Sequence, residues 1–512
     1  MFIVNIVNLR PLDITAIAVY MLGIAAIALF FAKKNNSTEQ YFLGNRSFPG
    51  WVIGLSMVGT SISSNSFLGI PAETYKSSWI KIAPNLFLPI VTIIAIVLFI
   101  PFFRSSKRTS AFEYLNERYG VVPRLYGTLS FIILQLARVV MVLLLLCLPI
   151  QFLTGYSIEY VIAVVGIFVA LYTIIGGIET VIWTDVIQTI VLLVGGVLCF
   201  SCIWYKMPGG LTQIMEIATD NNKFHIGDFD WDLGRKTFWV IMFTGLVHWL
   251  REYSSDQNVV QRYFAAKSTK EARKATAICA CFSIPIWVFF AFLGTALFAF
   301  YAQFPVADLD KQLGRPENIL PFFIINNIPA GIAGIIIAGL LAAAMSSLDS
   351  SLNAISTVTV VDIIKPYTHK GHSDKFYLNI AKAIIITASL IMVFGAILAT
   401  KYNNTVVDLV WIINSTLGGC LVGLFLLGLF TTRVDNTSAS IGLVIAIVAN
   451  IYLILSGSQL LPEMLVIDVD SYWTGIIVNI VFVAAAYTTS WIKKPSQQNL
   501  DKLTIWTMKK GE

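Results

Sequence analysis

Uncharged apolar runs of about 18 to 25 residues recur along almost the whole chain, separated by short segments that carry its charges, prolines and glycines. A run of that length crosses the hydrocarbon of a bilayer as a single α-helix. The pattern predicts thirteen helices, at 14–31, 50–71, 82–103, 125–153, 158–175, 186–205, 238–253, 275–301, 329–362, 380–400, 407–430, 439–455 and 472–491. The expected class is an all-α membrane protein with the lipid bilayer as its solvent. Residues 1–490 form one polytopic domain and 493–512 a tail. The connection at 206–235 reads as a loop with a short helix.

Two of these runs are interrupted by oxygen-bearing side chains. Thr60, Ser61, Ser63, Ser64, Asn65 and Ser66 crowd the second run, and Ser346, Ser347, Asp349, Ser350 and Ser351 crowd the ninth. Hydrocarbon offers a hydroxyl no water, so such clusters imply a ligand that has shed its own hydration, most simply a cation. With oxygen ligands only, and a cargo that must leave again, the ion reads as sodium. Ser, Asn and Gly disfavour a straight helix, which predicts a break near 59–62 that frees backbone carbonyls. Small residues for tight helix packing are the alternative for that run. In the ninth run Ala343, Ser346, Ser347 and Ser350 share one helical face. Asp349 there, and Asp185 at the start of the sixth run, both require a positive partner.

Arg138 lies fourteen residues past Arg124, about 21 Å along a helix and too deep to snorkel to the surface. Its planar fork suits a carboxylate, hence an anionic organic solute; a structural pair with Asp185, Glu159 or Glu252 is the alternative. His248, Arg251 and Glu252 cluster in the seventh run, as part of the pathway or as a buried polar network. His369 and His372 read as residues of a solvated loop.

Composition narrows the picture. Of 512 residues 57% are hydrophobic and 12% charged, and the formal charge is +6. Placing the N-terminus outside puts about 22 Lys and Arg in inner segments and about 10 in outer ones, with Arg138, Arg251 and Lys382 inside helices. The C-terminus is then cytoplasmic, and the net charge needs no nucleic-acid partner. Lysines follow the first run rather than precede it, so an uncleaved spanning helix is expected and no signal peptide. All six cysteines sit in apolar runs, where packing is their expected use, the Cys199–Cys202 pair included. The sequence has no phosphate-binding loop and no zinc-protease motif, which argues against ATP-driven transport and against an enzyme. Nothing in it points to an obligate protein partner.

The segments 176–188 and 255–263, the basic run 267–274 behind the latter, and the serine-rich ninth run resemble the sodium:solute symporter family. That resemblance implies a leucine-transporter-like five-plus-five inverted repeat with extra peripheral helices: a peripheral first helix at 1–34, repeats at 48–206 and 236–432, and two last helices at 438–492. The second helix would be mirrored by the seventh, with an interruption at Thr244, Gly245 and the 248–255 stretch. The shared sodium site would use Gly59, Ile62, Ala343, Ser346 and Ser347. A second sodium site would use Asp185, Ser346, Asp349 and Ser350, with Asp349 standing where the relatives carry serine.

Within the family, 61–67, 70–72 and 137–139 are most similar to bacterial sialic acid symporters. The similarity implies that Arg138 meets the sugar carboxylate, while Ser61, Ser63, Ser66 and Asn85 complete the pocket. Threonine at the first and last hydroxyl positions and glutamine at the amide are the relatives' residues, so the pocket here would be bonded differently. The implied function is sodium-coupled secondary active uptake of sialic acid (N-acetylneuraminate) across a bacterial cell membrane by alternating access, with one or two sodium ions co-transported. A symporter of the same family for proline, pantothenate, a neutral sugar or a monocarboxylate stays open, as does a nutrient sensor or channel on the same fold.

Overall fold

In hydrocarbon a backbone amide must be satisfied within its own segment, which leaves the apolar runs only the helix. The computed structural model describes residues 9–32, 37–232, 234–235, 237–368, 372–401, 418–457, 461–467, 469–492 and 499–508. Every extended element among them is helical, and one isolated β-bridge joins Phe48 to Ala266.

The helices that matter here are α1 (Pro11–Ala32), α2 (Thr38–Leu43), α3 (Gly50–Ser61), α4 (Ile70–Lys76), α5 (Trp79–Arg104), α6 (Ala111–Tyr119), α7 (Val121–Thr154), α8 (Ile158–Lys206), α9 (Gly210–Asp220), α10 (Phe238–Ser255), α11 (Gln257–Ala265), α12 (Thr269–Gln303), α13 (Ile332–Tyr367), α14 (Asp374–Lys401), α15 (Leu421–Phe430), α16 (Asn436–Gly457) and α17 (Thr474–Ile492). Nine of the described helices are long and apolar enough to span a membrane. Three features reconcile nine with thirteen crossings. Helix α8 has 49 residues, about 74 Å of helix against about 30 Å of hydrocarbon, and it folds back at Gly177 into two crossings. The pairs α3/α4 and α10/α11 are single crossings broken in the middle, so that neither half reaches the required length. The eleventh expected run, 407–430, is described only from 418 onward. His369 likewise lies outside the described residues.

The first break falls at the end of the expected 59–62 stretch, and the second one residue beyond the expected 248–255. Helix α3 runs through Gly59 and Thr60 to Ser61, and the backbone turns extended at Ile62 (φ −99°, ψ 99°). A Cβ on Gly59 would meet Thr189 Oγ1 at 2.6 Å and the Asp185 carbonyl at 3.1 Å, so this glycine serves close helix approach and not unwinding. Helix α10 is continuous through Thr244, Gly245 and the 248–255 stretch, and it breaks at Asp256 (φ −78°, ψ 120°). Gly245 is small because the backbone of Pro84 lies directly against it. Asp256 ends α10 and caps α11, its side chain accepting from the Asn258 amide at 2.8 Å.

Burial orders the layers. In the most apolar stretch of α13, 89% of residues are buried, against 11% in α1, so α13 is central and α1 peripheral. Helix α13 packs on α7, α8 and α3, and α12 on α3 and α4. The 206–235 connection contains α9 as expected, and Lys223 ties it down through the carbonyls of Tyr75 and Ser77 at 2.7 and 3.1 Å. The connections between α1 and α3, α5 and α6, α11 and α12, and α13 and α14 meet on one face: Arg46 Nη2 donates to Arg108 O, Arg104 Nη1 to Ala266 O, and Thr38 Oγ1 to Asp374. These are the segments that the charge distribution grouped together.

Gly177 adopts φ +59°, and a Cβ there would sit 2.8 Å from the Tyr41 ring. Gly177→Val should destabilise the protein by at least about 1–2 kcal/mol, since a β-branched residue tolerates that conformation poorly. Thermal unfolding in detergent reads this directly; an unchanged midpoint would contradict the turn.

Candidate functional site

The first break delivers backbone oxygens to the serine face of α13. Ser346 Oγ donates to the Gly59 carbonyl at 2.8 Å and to the Ala343 carbonyl at 3.2 Å, while Ser347 Oγ donates to the Thr60 carbonyl at 3.3 Å. Both serines are buried. The structure thus brings Gly59, Ala343, Ser346 and Ser347 together, with Ile62 at the point of unwinding. A hydroxyl that donates to a carbonyl here can rotate and turn a lone pair toward a cation, so this set of hard oxygens fits sodium.

Behind it lies a buried charge cluster. Asp185 Oδ2 accepts from Ser56 Oγ at 2.6 Å and pairs with Arg262 Nη2 at 2.7 Å, both side chains almost fully excluded from solvent. Arg262 Nη2 also reaches Thr60 Oγ1 at 2.7 Å and Ser350 Oγ at 2.8 Å, and Arg262 Nε reaches Ser56 at 2.9 Å. Asp349 Oδ2 accepts from the Tyr172 hydroxyl at 2.9 Å. Asp185 Oδ1 and Asp349 Oδ1 are buried without a hydrogen-bond partner. Two buried carboxylates are thus accompanied by one guanidinium, which bonds Asp185 alone, a balance that admits one further cation.

Arg262, which by charge alone counts with the basic residues of the segment after the second break, is 1% exposed, inside α11. The signal was present, because the carboxylate of Asp185 demanded a positive partner and a nine-residue helix with Arg262 follows the second break. Each aspartate was expected to have such a partner, but only Asp185 has one; Asp349 has a tyrosine.

A cavity of about 320 Å³ lies between the two breaks and runs along α7 from Phe131 to Leu145. Its polar lining is Ser63 and Asn65 from the first break, Ser255 and Asp256 from the second, Arg251, and Gln135 and Arg138 of α7. Arg138 Nη2 donates to the Thr60 carbonyl at 3.3 Å, the same oxygen that Ser347 reaches. Among the described residues no carboxylate lies within 4.0 Å of the Arg138 guanidinium, and Asp185 is committed to Arg262, so the alternative of a structural pair is not formed. Both oxygens of Asp256 are engaged, by the Asn258 amide and by Gln135 Nε2 at 3.2 Å. Two guanidiniums thus face the cavity with one satisfied carboxylate, which suits an anion.

Of the other expected pocket residues, Ser63 lines the cavity and three do not. Ser61 Oγ lies 4.0 Å from Cys279 Sγ of α12, Ser66 is buried beside the break, and Asn85 sits in the 3₁₀ turn that opens α5, next to α10. Gln135 and Asp256 were not anticipated. Asp256 after two serines is a helix N-cap signature, and that was the available clue.

Discontinuous helices whose halves meet at buried oxygens are an arrangement that secondary transporters use. Comparison with known proteins makes the class specific: the profile of the sodium:solute symporter family matches residues 41–446. The sodium/sialic acid symporter NanT of Aliivibrio fischeri is 31% identical over 481 residues, covering 94% of this chain and 93% of the relative. The sodium/sialic acid symporter SiaT of Proteus mirabilis is 33% identical over 481 residues, covering 94% and 95%. A solved structure of a Na⁺-coupled sialic acid symporter, substrate-bound and outward-open, superposes with a TM-score of 0.87 at 31% identity over 96% of this chain and 100% of that one. The nucleobase-cation-symport-1 transporter Mhp1, at 15% identity and a TM-score of 0.56 over 89% of this chain and 95% of that one, shares the fold. The chain belongs to the sodium:solute symporter family. It is a multi-pass membrane transporter that co-transports sodium, not an enzyme, and its architecture is the leucine-transporter type.

Removing one partner of a buried ion pair strands the other. Arg262→Met should cost about 3–5 kcal/mol of stability, and Asp185→Asn in the same background should restore part of it. Unfolding midpoints of the two variants and the parent in detergent test this; a single variant as stable as the parent would contradict it.

Proposed function

We propose that this protein takes up sialic acid, as the N-acetylneuraminate anion, with sodium by alternating access. The observation that carries this reading is the Thr60 carbonyl, shared between Ser347 in the ion site and Arg138 in the cavity. Sodium bound by Gly59, Ile62, Ala343, Ser346 and Ser347 would fix the unwound end of α3, and with it the position of Arg138 and the wall that holds Ser63. The sugar carboxylate then meets Arg138. A cavity of about 320 Å³ lies at the lower end of small-molecule pockets, roughly 300–1,000 Å³, and admits one monosaccharide-sized solute. Ser61, Ser66 and Asn85 join the pocket as the broken helices rock between states, completing the hydroxyl and amide partners of the sugar. Two relatives that align over 94% of this chain carry the name sodium/sialic acid symporter, which supports the same cargo here.

In this reading the repeats span 48–206 and 236–432. The face that gathers Arg46, Arg104, Lys267 and Lys274 is cytoplasmic, which puts the N-terminus outside and the C-terminus inside. A second sodium sits at Asp185, Ser346, Asp349 and Ser350, drawn by the two aspartate oxygens that have no partner. One sodium with one sialate moves no net charge. Two move one positive charge, which adds about 2.3 kcal/mol of drive per 100 mV.

Arg138→Ala should weaken sialate binding at least about a hundredfold, the loss of a charge-assisted bidentate pair, and leave sodium binding intact. Unaltered sialate affinity, measured by calorimetry on purified protein, would remove the carboxylate assignment. Competition of labelled sialate uptake by proline, pantothenate, a neutral sugar or a monocarboxylate separates the cargo from its alternatives, and a neutral sugar competing as well as sialate would overturn it. Ser346→Ala should raise the sodium needed for half-maximal uptake about tenfold, equivalent to about 1.4 kcal/mol; an unshifted sodium curve would displace the ion site. Solid-supported membrane recordings should show an inward positive current with both solutes present, and its absence would reduce the coupling to one ion.

A further inference from the structure

On the face where the α1–α3, α5–α6 and α13–α14 connections meet lies a second cavity, about 720 Å³, that shares no lining residue with the first. Four cations line it, Arg46, Arg104, Lys107 and Lys365, against a single carboxylate, Glu39, which lies 3.3 Å from Arg46 Nε. Phe42 and Leu43 back the lining and are themselves almost wholly buried, so the surface the cavity presents is mainly polar.

The donors are only partly used within the protein. Arg104 Nη1 braces the end of α11 by donating to the carbonyls of Tyr263, Phe264 and Ala266 at 3.3, 3.1 and 2.9 Å, but its Nε is buried with no hydrogen-bond partner. Ser106 Oγ, also on the lining, is buried and equally unmatched. Arg46 is held at φ +52° beside Asn45 at φ +53°, a backbone that L side chains rarely adopt and that recurs at ligand clamps. Lys107 and Lys365 are exposed at the rim. Buried donors without acceptors, under a rim of like charge, fit a ligand that brings several anionic oxygens.

We propose that this cavity binds the phosphodiester headgroup of an anionic phospholipid. Free phosphate has the same oxygens, but a lipid also brings acyl carbons, for which the exposed Leu29 and Phe30 of α1 offer an apolar surface at the membrane edge. The place fits as well: α1 exposes Leu29 and Phe30 on its last turns and ends shortly before Thr38 on the cavity wall, so the site opens where spanning helices leave the hydrocarbon. Basic pockets at helix ends are a recognised setting for such headgroups. Because Arg104 also holds the end of α11, half of the second broken helix, a lipid here would touch an element that carries Arg262. The inference uses only the charge, burial and membrane-edge position of the cavity, and it stands whichever solute is carried.

The test uses the purified full chain in detergent, titrated with phosphatidylglycerol and followed by thermal unfolding and by native mass spectrometry of bound lipid. The parent should be stabilised and retain a bound lipid. Lys107→Gln/Lys365→Gln should need about twenty- to thirtyfold more phosphatidylglycerol for the same shift, about fivefold for each lysine. Phosphatidylcholine and inorganic phosphate should not reproduce the effect. If the double variant does not purify, Arg46→Gln read by mass spectrometry should show the same loss of bound lipid. An equal response of variant and parent would overturn the site, and an equal shift with inorganic phosphate would overturn the lipid assignment.

Discussion

The whole arrangement depends on one constraint: oxygen atoms placed in hydrocarbon must find partners there, and a broken helix exposes more of them than the protein alone engages. Helix α3 stops at Ser61, and its last carbonyls, from Gly59 and Thr60, are received by the serines of α13 and by Arg138. Thr60 belongs to three groups at once. Its carbonyl touches Ser347 and Arg138, and its hydroxyl touches Arg262, Ser350 and Asp185. A cation drawing on one of these oxygens would change the company of the rest, which is the linkage that the proposed function requires.

The surroundings are built to keep that junction tight. Gly59 lets α3 lie against Asp185 and Thr189, and Gly245 lets α10 lie against Pro84 at the start of α5. The buried Arg262 ties α3, α8, α11 and α13 together through Ser56, Asp185 and Ser350, so four helices share one guanidinium. Such a cluster contributes little to stability relative to an apolar core, but it fixes which groups face each other, and losing one member leaves charge stranded.

Much of this was legible in the sequence. Apolar run length gave thirteen crossings, and the serine-rich second and ninth runs marked the helices whose oxygens meet at the first break. Family resemblance supplied the inverted repeat, which hydropathy does not show. What the sequence hid has physical causes. A glycine within an apolar run can mark unwinding or close approach, and at Gly59 and Gly245 only the neighbouring backbone decides between them. Arg262 stood in a polar stretch after the seventh run and read as an inner-face cation, because a helix half as short as α11 carries no spanning signal. The partner of Asp349, Tyr172, lies 177 positions away in the chain, beyond the reach of any local pattern.

The central claim is that solute moves only as the sodium site is filled. Accumulation of labelled N-acetylneuraminate in proteoliposomes, driven by an inward sodium gradient and repeated with choline replacing sodium, measures it most directly. Sodium should drive accumulation above the external concentration, and choline should abolish it. Equal accumulation with choline would contradict the account.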